Sequence, residues 1–129
     1  MLSDYSPIPT VPTADLDRAR DFYDNTLGLS GAEEVMEGEG VLYKCGTGSF
    51  LLYPSQFAGT NQATAMAFQA DGGGFDAEVA SLRDAGVSFD TFEMEGLTWD
   101  DGVASMQGGK AVWFKDPDGN IINLMSMPG

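Results

Sequence analysis

A chain of 129 residues with 43% hydrophobic and 20% charged side chains is sized for one globular domain with a real core, or for two small halves sharing one. Its 20 acidic against 6 basic residues leave a formal charge of −14, a field that repels nucleic acid and anionic lipid, so neither is an expected partner. Histidine is absent, which removes the commonest acid–base group near neutral pH and the commonest transition-metal ligand, and excludes a Ser-His-Asp hydrolase.

No apolar run approaches the roughly 20 residues of a membrane helix. The stretch from Met1 to Pro7 lacks the basic and apolar blocks of a signal peptide, so no membrane association and a cytoplasmic location are expected. The lone Cys45 cannot form an intrachain disulfide and reads as a small buried side chain.

Taken in order, Ser6 to Pro12 alternates like a strand, but three prolines confine it to an edge or to pairing on one side only. Leu16, Ala19, Phe22, Tyr23, Thr26 and Leu27 then recur at helical spacing, with Thr13 or Asp15 to cap the start and Gly28 to stop it. Ala32 to Glu39 is acidic and reads as a bent strand or an exposed loop; Glu33, Glu34, Glu37 and Glu39 are solvated carboxylates rather than a hard-cation site. Strands are expected at about 41–46 and 49–54, with a linker from Pro54 to Gln62.

A second pass follows. Ala63 to Ala70 reads as a strand, Asp71 to Gly74 as a flexible glycine-rich lead into a helix, and Phe75, Val79, Leu82 and Ala85 share a face of that helix before Gly86. Val87 to Phe92 reads as the next strand and Glu93 to Gly109 as a longer loop. Two strand-like runs within Ala111 to Ser126 then flank Asp116-Pro117-Asp118-Gly119-Asn120, where Asp, Pro and Gly suit a type I turn. The EF-hand-like spacing of Asp116, Asp118 and Asn120 fails at Ile121 and Met127, so it too reads as a turn. Gly108 to Ala111 lacks the spacing of a phosphate loop. The order strand, helix, strand, strand, strand occurs twice, over residues 1–62 and 63–129, with Thr98 to Gly102 in an insertion of the second copy.

Ala14 to Leu29 and Phe114 to Leu124, with the duplicated order of elements, resemble the vicinal oxygen chelate superfamily, which groups glyoxalase I, extradiol dioxygenases and bleomycin resistance proteins. The resemblance implies an α+β fold in which two βαβββ modules pair into an incomplete barrel around a cleft, and a homodimer. It also implies one divalent metal, held near the first and last strand of each module. Those positions fall near Ile8 or Thr10, at Ala65, at Leu52 when Gly119 to Leu124 is laid on Gly48 to Tyr53, and at Asn123. None is His, Asp or Glu, so neither a metal nor another cofactor is expected.

A cleft without an ion keeps an apolar and aromatic lining. By strand alternation Asn123 shares a face with Ile121 and Met125, and Leu52 with Phe50. Thr10, Tyr43, Trp113, Phe92 and Trp99 complete the candidate set. Core packing is the competing role for each aromatic, least so for Trp99 in its polar loop, where Asp100 and Asp101 would suit an organic cation. Two functions follow. One is a metal-free protein that binds a small molecule, such as a cationic drug or metabolite. The other is a metal-independent lyase, isomerase or dioxygenase-like enzyme using Tyr43, Tyr53 or Glu93 as acid or base.

Overall fold

The structure is a computed structural model describing residues 1–71 and 73–127. Gly72, part of the glycine-rich lead into the second helix, and the last two positions of the second module lie outside the described residues.

The first module comprises β1 (Thr10–Thr13), α1 (Leu16–Asp21), β2 (Ala32–Val35), β3 (Gly40–Cys45) and β4 (Gly48–Pro54). Its sheet runs β1-β4-β3-β2, with β1 parallel to β4 and the other pairs antiparallel. The proline-bearing β1 pairs on one side only, as its missing N–H groups require. Asp15 caps α1 by accepting from the Arg18 N–H at 3.1 Å. The periodicity predicts a regular helix through Leu27, but α1 widens at Phe22–Thr26 into a π-helical turn closed by Leu27 N–H to Phe22 O at 2.9 Å.

The second module comprises β5 (Thr64–Gln69), α2 (Gly74–Asp84), β6 (Thr98–Asp100), β7 (Val103–Met106), β8 (Gly109–Lys115) and β9 (Ile121–Ser126), in the sheet order β5-β9-β8-β7-β6. Two sequence expectations fail here. Residues 87–92 form no strand, only a single bridge from Asp90 to Trp113. The expected long loop instead contains the β6–β7 hairpin, which pairs Ala104 to Met106 with Gly109 to Ala111 and so takes up much of the edge of β8 that a strand at 87–92 would need. The hairpin turns on Asp101-Gly102, both at positive φ (50° and 82°), the two-residue geometry that matches strand twist.

Register decides which side chains meet. In the first sheet Val11, Val41, Tyr43, Phe50 and Leu52 face the helix, joining Ala19 and Tyr23. In the second, Val112, Phe114, Ile122 and Leu124 do so, joining Phe75, Val79 and Leu82 of α2. All belong to one continuous core, so the helix-bearing sides of the two sheets turn toward each other and their helix-free faces point away. Each large apolar side chain buried there contributes roughly 1.5–3 kcal/mol of transfer free energy.

The Asp116–Asn120 turn is the clasp between modules. The Asp116 carboxylate, 5% exposed, accepts from the backbone N–H groups of Asp118 and Asn120 (both 2.9 Å), from Asn120 Nδ2 (2.8 Å) and from the Tyr23 hydroxyl of the first module (2.8 Å). Asp118 accepts from the Thr13 hydroxyl (2.6 Å), Ala14 N–H (2.8 Å) and Arg18 Nη2 (2.9 Å), and Asn120 donates to Pro12 O at 2.8 Å. The linker closes over this turn at Gly59, where a Cβ would stand 2.3 Å from Asp118 O. The carboxylates of the EF-hand-like spacing are thus engaged in joining modules.

Two phenols titrate with the fold. Burial and then the adjacent Asp116 push Tyr23 far above its ordinary value of 10.0, while burial and its bond to Asp24 (2.9 Å) raise Tyr43. The folded state therefore holds protons that the unfolded chain releases above about pH 10. Their contribution is complete below that pH and falls as pH rises, by about 1.4 kcal/mol per unit for each phenol. The expected result is a urea midpoint that drops between about pH 9 and pH 11, and drops less in a Tyr43→Phe variant. Equal slopes for the two proteins would remove Tyr43 from the explanation.

Candidate functional site

The helix-free face of the second sheet carries Trp99, Ala104, Ala111, Trp113, Ile121, Asn123 and Met125, set there by pairs such as Trp113 with Asn123 and Ala111 with Met125. Short alanines between tryptophans leave a depression. It opens as a cavity of about 330 Å³ lined by Met106, Ala111, Trp113, Asn123, Met125 and Met127, among others. Every residue lining it belongs to the second module.

Of the residues singled out from the sequence, Trp113, Asn123 and Met125 meet in this cavity, and Phe92 and Trp99 stand beside it. The three aromatic rings pack on one another: Phe92 lies edge-on to Trp99 at 5.3 Å and to Trp113 at 4.9 Å, and the tryptophans are 6.0 Å apart. Such spacing is direct contact, so the trio is a wall and has no gap to cage a cation between ring faces. Asp101 is held by Arg83 at 2.7 Å, and Asp100, adjacent to Trp99 on β6, projects to the opposite side of the strand. Ile121 lies farther along the same face, half-buried.

Tyr43, Phe50 and Leu52 are elsewhere. All three lie in the helix-side core, at 0%, 3% and 0% exposure, with Tyr43 and Phe50 stacked at 5.1 Å. The sequence superposition that matched Leu52 to Asn123 is out of phase by one residue, and in a strand one residue exchanges the faces. Leu42, Leu51 and Tyr53 occupy the helix-free face of the first sheet, with Thr10 and Pro12 beside them. Thr10 is therefore on an open face, but not the one that holds Asn123.

The metal positions implied by the resemblance do not fit an ion. Thr10, Leu51 or Leu52, Ala65 and Asn123 offer one hydroxyl and one amide. These neutral donors are too weak for Zn²⁺ or Fe²⁺. No group of three or more His, Cys, Asp or Glu side chains converges among the described residues.

A larger cavity of about 430 Å³ lies where the modules meet, lined by Leu27, Leu29, Cys45, Phe68, Leu82 and Phe114, among others. Of its polar groups, Lys44 is paired with Glu33 (3.6 Å) and Gln69 with Asp71 (2.6 Å), while Ser30 and Glu78 also line it. Burial raises the Cys45 thiol above its ordinary value, which leaves it protonated and a poor nucleophile. The gap between modules therefore offers no ready thiolate. Among the described residues, no helix is long and apolar enough to cross a membrane.

A doubly repeated strand-helix-strand unit with two open sheets, one bearing a tryptophan-lined cavity, defines the class of fold. The sequence matches the Glyoxalase/Bleomycin resistance protein/Dioxygenase superfamily over residues 8–124, and the chain belongs to that family. No curated protein sequence matches it. Among solved structures, lactoylglutathione lyase from Agrobacterium tumefaciens is similar with TM-score 0.66 and 20% identity, over 95% of this chain and 92% of that one. FosX, a fosfomycin resistance protein from Listeria monocytogenes, gives 0.68 and 19% over 98% and 95%. A glyoxalase/bleomycin resistance protein from Streptomyces sp. CB03234 gives 0.55 and 24% over 89% and 94%. At these identities the likeness establishes the fold alone.

Proposed function

We propose that this chain is a metal-independent protein that binds a small organic molecule in the cavity over Trp113, Asn123 and Met125, and that a second copy closes that cavity. The observation carrying the reading is an apolar, aromatic-walled depression whose family metal positions hold no charged donor. Binding rather than catalysis is favoured because Tyr43 is committed to Asp24 in the core, and Glu93 is exposed in a loop. Tyr53, on the open face of the first sheet, lines no part of the cavity in its own chain and has no second acid or base group beside it there, its partner across the strands being Pro12. That two similar structures are named resistance proteins agrees with a drug-sized ligand. The charge of −14 favours neutral or cationic molecules over anionic ones.

Two outward faces support the proposed dimer. One presents Leu42, Leu51 and Tyr53, the other Trp99, Trp113 and Met125, and a two-fold axis lays the first face of each copy over the second face of the other. The N-terminal arm adds Leu2, Tyr5 and Ile8, at 89%, 74% and 50% exposure. Calorimetric titration of cationic drugs and amines against neutral analogues, in excess chelator, tests the binding; heat that depends on added metal would overturn it. Light scattering of Leu51→Glu tests the closure. The expected outcome is a monomer with binding at least tenfold weaker, although Leu51 lines no part of the cavity in its own chain. A Leu51→Glu dimer with full affinity would overturn the arrangement and leave the cavity reading standing.

A further inference from the structure

Asn123 is 97% buried by its 3% exposure, yet its amide is half used. Nδ2 donates to Val112 O at 3.1 Å and lies 3.5 Å from Leu124 O, while Oδ1 accepts from no described residue. It is not sealed in either, because among the described residues no fully buried side-chain oxygen or nitrogen lacks a partner. Asn123 lines the cavity shared with Trp113, Met125 and the other methionines, and Oδ1 opens onto it. Turning the amide over would set Oδ1 against the Val112 carbonyl, acceptor against acceptor, so the bond to Val112 fixes the oxygen outward.

We propose that the free Oδ1 of Asn123 selects a ligand with an aromatic body and one N–H or O–H donor. The inference rests on the cavity reading above and deepens it. Trp113 supplies a flat wall, and Met106, Met125 and Met127 supply polarizable thioethers that favour ring edges and adapt to shape. The other polar side chains lining the cavity, Gln107, Lys110 and Ser126, are exposed or half-buried at its rim, so Oδ1 is the buried acceptor, and a ligand without a donor covers it and leaves it unbonded. A quaternary ammonium, which has no donor, is rejected on the same ground, and the contacting rings of the trio offer it no cage.

The test is a matched pair, 2-naphthol and 2-methoxynaphthalene, titrated calorimetrically into the intact protein and into Asn123→Leu and Asn123→Asp. The naphthol is expected to bind about tenfold or more tighter than its ether to the parent. The preference should vanish in Asn123→Leu and persist in Asn123→Asp. Equal affinities in the parent overturn the inference while leaving the cavity reading intact, and this holds even if neither variant folds. A preference that survives in folded Asn123→Leu overturns the assignment to Asn123. Failure of both probes to bind the parent overturns the cavity reading itself.

Discussion

Replacing Asp116 by alanine is expected to lower the unfolding free energy by about 3–5 kcal/mol, since several buried donors lose their acceptor at roughly 1–3 kcal/mol each. The carboxylate is where the two modules exchange their least replaceable bonds. Two of its four donors are backbone N–H groups of its own turn, and one is Tyr23 from the first module. The loss approaches the whole stability of a small domain. Tyr23→Phe removes one donor and leaves three, so its expected effect is smaller, about 1–2 kcal/mol. Trp99 and Trp113 both lie in the second module, so their fluorescence follows that module while far-ultraviolet dichroism follows the whole chain. In the parent the two urea transitions should coincide, and in Asp116→Ala they should separate as the modules uncouple. An Asp116→Ala protein within about 1 kcal/mol of the parent would show that the turn merely sits between modules without joining them.

What the sequence made legible divides along the same physical lines. The repeat, both helices, the single-sided first strand and the final hairpin were readable because each rests on local patterning: apolar spacing, a proline's missing N–H, and turn residues in order. The β6–β7 hairpin was readable too and was missed, since Asp101-Gly102 between short alternating runs is the strongest local signal for a two-residue turn. The misplaced site residues have a different origin. Phe50 and Leu52 alternate correctly with Leu51 and Tyr53, but alternation alone does not say which set meets the helix. That is settled by Tyr23, whose ring lies 5.7 Å from Tyr43 and 5.5 Å from Phe50, a contact no spacing rule contains. On β9, the pattern placed Asn123, Ile121 and Met125 on one face, and there the phase agreed with the open side. The outward Oδ1 depends on the bond from Nδ2 to Val112 O, which no spacing rule contains.

Raising sodium chloride from about 0.01 M to about 1 M is expected to stabilise this protein, by roughly 5–10 °C in thermal midpoint. All six basic side chains already have carboxylate partners: Arg18 with Asp118, Arg20 with Glu34, Lys44 with Glu33, Arg83 with Asp101, Lys110 with Asp76 and Lys115 with Asp90. Salt weakens these pairs, which argues for destabilisation, but exposed pairs contribute only about 0–1 kcal/mol each. Arg18–Asp118 is screened least, because the Asp118 side chain is 2% exposed. Against this stands the excess of carboxylates. Asp17, Glu37, Glu39, Glu78, Asp84 and Glu95 have no basic partner among the described residues, and their repulsion is spread over the whole surface, where screening is most effective. Repulsion between two such copies is larger still, so the same salt should shift the proposed dimer toward association and tighten ligand binding with it. Sodium chloride and potassium chloride at equal strength should act alike if screening is the cause. A midpoint that falls with salt would mean that the six pairs outweigh the unpaired carboxylates, and that the acidic surface is no obstacle to folding.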